Sequence, residues 1–269
     1  MIYITGDIHG DFSRFKSPLL RKLRKNDALI VCGDFGFIWN GSEKEKKILK
    51  KIGKLPYNVL FVEGSHDNYD LLEDYPEEEW CGGRTRHITG RLRQLMRGQV
   101  FEIAEKTVFS FGGGQSDDTV DLIEGENWWR REIPSEHELE EGLRNLEAAG
   151  NSVDFVVTYE PPSKLHDFLD HNSGDRNHIN TYLNDVYEKL SFQRWFFGKL
   201  HLNKLIPPKY YAVYDQIVVA DDTKIKKKRE PKSPKKQDDK ENLYGRDHLR
   251  DHQGAGSNLR GRKGLDKGA

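Results

Sequence analysis

Five short polar motifs carry the residues of this 269-residue sequence that could do chemistry. They are "GDIHG" (6–10), "GDFG" (33–36), "GSHDN" (64–68), "TYEPP" (158–162) and "GKLH" (198–201). The first motif places Asp7 and His9 two residues apart, so that a carboxylate and an imidazole can converge on one divalent cation. One such pair is weak evidence, because an aspartate after a strand is usually a turn former or a helix cap. Five motifs in order indicate a metal-dependent site.

Each motif follows or ends a short apolar run that predicts a buried strand. These runs are "IYIT" (2–5), "ALIVC" (28–32), "NVLFVEG" (58–64), "VDFVVT" (153–158) and "RWFFG" (194–198). Further strands are predicted for "QVFEI" (99–103), "KTVFSFGG" (106–113), "YYAVY" (210–214) and "QIVVA" (216–220). Reactive groups of α/β sheets collect beyond the carboxyl ends of strands, so we expect the five motifs to meet at one edge.

Helical patterns lie between several of these strands, at 12–23, 42–52, 135–150 and 178–190. Pro18 is expected to start or kink the first helix. The third has the clearest start, because Ser135 and Glu138 have the spacing of a capping box. Strands and helices alternate in the first third of the chain and strands cluster later, which predicts a layered α/β fold with parallel and antiparallel pairing.

Charge divides the chain into two parts. Residues 223–269 hold 15 Lys/Arg and 7 Asp/Glu, a net charge of +8, so residues 1–222 carry −9 of the overall −1. The apolar pattern ends near residue 220, and we expect a disordered basic tail after a domain that spans residues 1–222. The tail either stays solvated or makes weak contact with nucleic acid through "KKKR" (226–229). Tyr244 is its one aromatic residue, which argues against specific single-strand binding.

Sulfur chemistry and membrane contact find little support in the sequence. Cys32 and Cys81 are the only cysteines, and they form neither a CxxC pair nor a disulfide framework. The apolar stretch at the start is far too short for a signal peptide or a membrane helix. We therefore expect a cytoplasmic protein without a membrane partner.

The order of the motifs resembles that of the calcineurin-like metallophosphoesterases. That family carries D-x-H, then G-D, then G-N-H-D, then a histidine after a later strand, and finally G-H-x-H. The likeness covers about residues 1–220, and "LMRGQVF" (95–101), "FSFGGGQSDD" (109–118) and "WWRREIPS" (128–135) also look like segments of its small bacterial members. The resemblance implies a four-layer αββα sandwich with mixed sheets. It also implies hydrolysis of a phosphoester, of a class that the sequence leaves open, by metal-bound hydroxide.

The resemblance further implies two neighbouring metal ions, of which this sequence keeps the ligands of one. The residues expected to hold the first metal are all present: Asp7, His9, Asp34 and His201. The second metal would share Asp34 and use an asparagine and two histidines, whose positions read Ser65, Tyr159 and Lys199. All three ligands that belong to the second metal alone are replaced. We therefore expect one divalent transition metal (Mn, Fe or Zn) and a degenerate second site.

Lys199 offers a physical reason for this division. A dication about 4 Å from an ammonium group is repelled by roughly 8 kcal/mol at an effective dielectric constant of about 20. Protonated Lys199 and a second metal therefore exclude each other, and Lys199 could supply positive charge toward the phosphate instead. Two other readings stay open: Lys199 is simply solvated, or it pairs with Glu160 in an inactive pocket.

The remaining catalytic expectations also come from the resemblance. His66 would protonate the leaving oxygen, and Asp67 would orient its ring. Tyr159 would either donate a hydrogen bond or only fill space, and Glu132 is expected in a surface salt bridge rather than in the pocket. The alternative to an enzyme is a catalytically inactive pseudo-phosphoesterase that acts as a binding or regulatory module.

Other aromatic and imidazole side chains are expected to be structural. Trp128 and Trp129 are expected to fill core space beside the site, and His166, His171 and His178 are expected at the surface.

Overall fold

The computed structural model describes residues 1–116, 121–169 and 177–221. Its strands, in chain order, are β1 (Ile2–Thr5), β2 (Ala28–Cys32), β3 (Asn58–Val62), β4 (Glu77–Trp80), β5 (Gly83–Thr89), β6 (Leu92–Leu95), β7 (Gln99–Ile103), β8 (Lys106–Phe111), β9 (Ser152–Thr158), β10 (Ser191–Phe197), β11 (Lys204–Ile206), β12 (Tyr210–Ala212) and β13 (Val218–Val219). Its α-helices are α1 (Glu43–Gly53), α2 (Tyr69–Glu73), α3 (Glu136–Ala148), α4 (Ser163–Leu169) and α5 (His178–Lys189). Short 3-10 helices span Phe12–Lys16, Pro18–Lys22 and Arg130–Glu132.

The strands form two mixed sheets. The first sheet has the order β13-β1-β2-β3-β6-β5-β4, and the second has the order β11-β12-β10-β9-β8-β7. β1, β2, β3 and β6 pair in parallel at the centre of the first sheet, while β8, β9, β10 and β12 do so in the second. Antiparallel strands lie at the edges. Because the carboxyl ends of parallel strands point the same way, each sheet presents one edge of loops that can carry a site.

Three apolar clusters hold the layers together. The cluster between the sheets contains Ile4 from β1, Ile30 from β2 and Phe196 from β10. Neighbouring residues on the same strands point the other way, as alternation along a strand requires. Tyr3 thus packs with α1 on the outer face of the first sheet, and Trp195 packs with α3 and α5 on the outer face of the second. Helices, two sheets and helices make four layers, and the expected αββα architecture is confirmed.

Most predicted elements are found close to their predicted positions, and the exceptions have physical reasons. Pro18 lacks the backbone donor that a continuous helix needs, and the predicted helix at 12–23 is two 3-10 helices that meet at Ser17. The sequence does not predict the strands β4, β5 and β6. In β4 ("EEEW") and β5 ("GRTRHIT") charged residues interrupt the apolar pattern, and many of these side chains are exposed or half-buried in the structure. These strands lie at the edge of the first sheet, where one face meets water.

The remaining sequence expectations concern the C-terminal tail and membrane-spanning helices. The predicted disordered tail, residues 223–269, lies outside the described residues. Within the described part of the chain, no helix combines the length and the apolar character needed to cross a bilayer.

Candidate metal centre

The ends of five strands meet at one edge of the two sheets. Asp7 follows β1, Asp34 follows β2, His66 follows β3, Tyr159 follows β9, and Lys199 follows β10. The backbone N–H of Lys199 donates to Oδ1 of Asp7 at 3.4 Å, and the hydroxyl of Tyr159 lies 3.1 Å from Oδ2 of Asp34. Both bonds join the first sheet to the second. The motifs therefore come together as the strand order predicted, although they are up to 192 residues apart in the chain.

Three of the predicted metal ligands converge at this edge. His9, Asp34 and His201 each offer a ligand atom, and these atoms lie within 4.8 Å of one another. Nε2 of His9 is 3.2 Å from Nε2 of His201 and 3.9 Å from Oδ2 of Asp34. Two imidazole nitrogens and a carboxylate oxygen are a donor set that Zn, Mn and Fe accept.

Asp7 lies beside this group of three and is not one of its members. Its side chain is 1% exposed, and Oδ2 has no hydrogen-bond partner among the described residues. Burial, assisted by the negative charge of Asp34, raises the pKa of Asp7 well above its ordinary value. A buried carboxylate oxygen without a donor is a group that a cation would satisfy. The residues present therefore fit a divalent cation.

The protonation states of His9 and Asp34 also suit metal binding, which requires a neutral imidazole and an ionised carboxylate. Burial lowers the pKa of His9, and the opposing charge of Asp34 only partly reverses this. For Asp34, burial raises the pKa, but the hydrogen bonds and charge of His66 outweigh it and leave the pKa below its ordinary value. His9 is thus held as a base and Asp34 as an anion.

The backbone is strained where the chain delivers these side chains. His9, Asp34, Lys199 and His201 have φ angles of 47°, 43°, 58° and 49°, in the left-handed region that residues with a Cβ rarely adopt. Such conformations cost about 1–3 kcal/mol each and cluster at functional sites. The strain supports a functional origin for this arrangement.

The His66 ring contacts Asp34 and not Asp67, which was expected to orient it. Nδ1 of His66 lies 3.0 Å from Oδ2 of Asp34, and its backbone N–H donates to Oδ1 of Asp34. The carboxylate of Asp67 is buried and accepts hydrogen bonds from the backbone amides of Phe35, Gly36 and Gly64. Burial, with the charge of Asp34, raises the pKa of Asp67 to about 8 against these donors. Asp34 therefore orients the His66 ring, and Asp67 fastens two loops of the site together.

Ser65 and Tyr159, two of the three residues expected at the position of a second metal, are hydrogen-bonded to each other. Oγ of Ser65 lies 2.9 Å from the hydroxyl of Tyr159, which in turn lies 3.1 Å from Oδ2 of Asp34. Ser65 and Tyr159 are both buried. The phenol ring and the two hydroxyls occupy the space next to Asp34.

Lys199 is paired rather than solvated. Its side chain is 14% exposed, and Nζ lies 3.8 Å from Oε1 of Glu160, which is 1% exposed. Nζ also donates to the carbonyl of Gln115 at 2.9 Å, while the amide of Gln115 lies 3.4 Å from the same Glu160 oxygen. The Lys199–Glu160 ion pair therefore contacts both the backbone carbonyl and the backbone N–H of Gln115. Burial raises the pKa of Glu160, although Lys199 opposes the shift.

Two buried carboxylates near the site were not identified as such from the sequence. Glu160 is held by the side-chain amides of Asn177 and Asn180, and only the alternative pairing of Lys199 pointed to it. Glu132 was expected at the surface, and this is wrong: it is buried and accepts from Ser116 and from the indole of Trp128. The polar spacing of "WWRREIPS" carries no signal for such a contact.

The tryptophans and histidines that were expected to be structural agree with the expectation only in part. Trp129 is buried and Trp128 is half-buried. His178 is exposed as expected, and His171 lies outside the described residues. His166 is buried, contrary to the expectation, because α4 turns it inward.

Comparisons with known proteins agree with the motifs at the level of the family. A sequence profile of the calcineurin-like phosphoesterases matches residues 1–202. A curated relative, a symmetrical bis(5′-nucleosyl)-tetraphosphatase from Wigglesworthia glossinidia brevipalpis, is 42% identical over 72 residues. That match covers 26% of this chain and 25% of the relative, so the chain spans about a quarter of the protein that it matches.

Two solved structures show a weaker likeness. One, described as a 5′-nucleotidase from Staphylococcus aureus, is 14% identical with a TM-score of 0.44 and covers 80% of this chain and 49% of that one. The other, a phosphopantetheinyl hydrolase from Mycobacterium tuberculosis, is 12% identical with a TM-score of 0.38 and covers 80% and 89%. Scores at this level carry no argument about function. The profile spans most of the described chain and confirms the resemblance drawn from the motifs: the protein belongs to the calcineurin-like phosphoesterase family.

Proposed function

We propose that this protein hydrolyses a phosphoester with a single divalent transition metal, held by Asp7, His9, Asp34 and His201. The observation that carries the proposal is the convergence of three ligand atoms within 4.8 Å, beside a buried carboxylate oxygen without a partner. Family membership supports metal-dependent phosphoester hydrolysis in general. When bound, the cation would supply Lewis acidity and a water of lowered pKa.

Only one cation is proposed, because the neighbouring space holds protein groups. The hydroxyl of Tyr159 lies against Asp34 and that of Ser65 lies against Tyr159, while the ammonium of Lys199 lies 5.7 Å from the centre of the Tyr159 ring. This ammonium would repel a second dication. From its position beside Tyr159 it would instead direct one positive charge toward the phosphate oxygens.

His66 is the proposed proton donor to the leaving oxygen. Its Nδ1 is taken by Asp34, so Nε2 is the nitrogen free to face a substrate, and the side chain is 64% exposed. The hydrogen bond that His66 donates to Asp34 raises the pKa of His66, although burial opposes it, so the ring keeps its proton to higher pH. Asp67 has a positioning role in this proposal, through the loops that bear Asp34 and His66.

A nucleoside polyphosphate is one substrate class to test. The support is indirect and comes from the activity named for the bacterial tetraphosphatase, which this chain resembles over 72 residues. Monoesters and diesters belong in the same panel.

A catalytically inactive metal-binding module is the second candidate. The observation in its favour is that Lys199 already bonds Glu160 and the carbonyl of Gln115, so its charge is partly neutralised. The two candidates share the metal site and differ in turnover.

Metal content tests the ligand set directly. We expect one equivalent of Mn, Fe or Zn per chain in protein purified without chelators, measured by elemental analysis. The combined Asp7→Ala and His201→Ala variant should lose it, because half of the ligands are removed. Two equivalents in the wild type, or one that persists in the double variant, would contradict the single-site proposal.

Activity on the phosphoester panel separates the enzyme from the inactive module. Lys199→Ala should lower kcat/KM about 100-fold, the usual loss for one charge-stabilising donor, and Lys199→Arg should retain more activity. Lys204→Ala removes a charge from the same segment, outside the proposed site, and is the matched control. A wild type that holds its metal but cleaves nothing with Mn, Zn or Fe would exclude the enzyme.

A further inference from the structure

The ring of Tyr159 sits in a slot that three glycines make possible. A Cβ atom added to Gly33, Gly64 or Gly114 would lie 2.0, 2.9 or 2.7 Å from the nearest ring carbon, which is closer than carbon atoms can approach. Gly33 also has a φ of +95°, which a larger residue would adopt only with strain. The side chain is 1% exposed. Gly33 and Gly64 lie against the Cδ2 and Cε2 side of the ring and Gly114 lies against the Cδ1 and Cε1 side, so the ring has little room to shift and its hydroxyl is held in place.

The direction of the hydrogen bonds at this hydroxyl follows from chemistry. An ionised carboxylate only accepts, so the phenol donates to Oδ2 of Asp34. The phenol has one proton, and the hydroxyl of Ser65 must therefore donate to the phenol oxygen. Burial, together with the charges of Asp34 and Asp7, raises the pKa of Tyr159 well above its ordinary value, which keeps the donor protonated.

The oxygen that accepts from Tyr159 is the one that faces the metal ligands. Oδ2 of Asp34 lies 3.0 Å from Nδ1 of His66 and 3.9 Å from Nε2 of His9. Its partner oxygen Oδ1 is held by the backbone amide of His66. The hydrogen bond to the His66 ring would not by itself fix the rotation of the Asp34 carboxylate, because the His66 side chain is mostly exposed to solvent. The buried phenol supplies the rigid support.

We propose that Tyr159 is a positioning residue whose hydroxyl fixes the rotation of the Asp34 carboxylate and thereby sets the affinity of the cation site. The inference rests on the cation site proposed above, although it does not require that the protein be a catalyst. Removal of a hydrogen-bond partner of a metal ligand typically costs about 10–100-fold in affinity. A tyrosine that only fills the core would affect folding and leave metal affinity unchanged.

The test is the affinity of Tyr159→Phe for Mn²⁺, measured by calorimetric titration of the metal-free full chain. Phenylalanine keeps the ring in its glycine slot and removes only the hydroxyl. We expect the Kd for Mn²⁺ to rise about 10–100-fold, with an unchanged far-UV circular dichroism spectrum. Tyr57→Phe is the matched control, because Tyr57 is a buried tyrosine whose hydroxyl has no partner among the described residues.

Each outcome has one meaning. A Kd for Tyr159→Phe within twofold of the wild-type value would overturn the positioning role, and so would an equal loss in Tyr57→Phe. Mn²⁺ binding that weakens in Tyr159→Phe while the wild type cleaves no phosphoester would uphold this inference and reject only the enzymatic proposal. A wild type that binds none of Mn²⁺, Fe²⁺ and Zn²⁺ would reject both.

Discussion

Away from the metal centre, Arg97 is a single residue that joins several segments through its buried guanidinium group. Its side chain is 5% exposed, and Nε lies 2.5 Å from Oε1 of Glu63, which is itself buried. The other guanidinium nitrogens donate to Glu138 and to the backbone carbonyls of Arg131 and Glu132. This network ties the end of β3 to the start of α3 and to the segment that bears Glu132. The positive charge of Arg97 compensates the negative charge of the buried Glu63 side chain.

Arg97→Ala is therefore expected to lower the free energy of unfolding by about 3–5 kcal/mol, because buried Glu63 would lose its positively charged partner and keep, among the described residues, only the side-chain amide of Gln94. Urea denaturation at neutral pH measures the change. Arg131→Ala is the control: its side chain is exposed and pairs with Asp70 and Glu73, and such pairs are worth about 0–1 kcal/mol. Equal losses in the two variants would show that burial does not decide the cost.

At the scale of elements, α3 begins with the capping box that the sequence predicted. The hydroxyl of Ser135 accepts from the backbone N–H of Glu138, and the carboxylate of Glu138 accepts from the backbone N–H of Ser135. The helix packs Leu139 and Leu146 against the second sheet. Its first turn also supplies Glu138 to Arg97, so that the cap and the buried network share one residue.

Ser135→Ala removes the side-chain acceptor and should reduce stability by about 1 kcal/mol. Ser135→Thr keeps a hydroxyl at the same position and should lie close to the wild type. Urea midpoints of the three proteins, measured side by side, give the comparison. A full-sized loss in the threonine variant would mean that packing, and not capping, determines the effect.

At the scale of the whole molecule, the sequence predicts that residues 223–269 are dispensable for folding. The last described strand is β13, which pairs with β1, and Ala220 just beyond it is fully buried. The tail has a net charge of +8 and no apolar pattern that could form a core.

A chain that ends at Asp222 should keep the thermal midpoint of the full-length protein to within a few degrees. Differential scanning calorimetry at two salt concentrations is the measurement. A large fall in the midpoint that salt abolishes would mean instead that the basic tail docks on the acidic domain through charge, because added salt screens such contacts.

The sequence by itself predicted most strands of both sheets and the motifs that follow them, and its resemblance to the family implied the αββα layers. Strands such as β2 and β7 are found at their predicted bounds, because alternation and apolar runs are local properties of the chain. The order of the motifs placed Asp34 and His201 at strand ends for the same reason. Family membership then confirmed what these motifs implied about the fold.

Tertiary structure decided which groups touch. Lys199 bonds the carbonyl of Gln115, 84 residues away, and His66 is oriented by Asp34 rather than by its neighbour Asp67. The burial of Glu132 has in part the same origin, since one of its partners, Ser116, lies 16 residues away in the chain. Contacts of this kind depend on how distant segments pack. The energy of a buried charge is set by the donors that surround it in space, and these do not follow from its neighbours in the sequence.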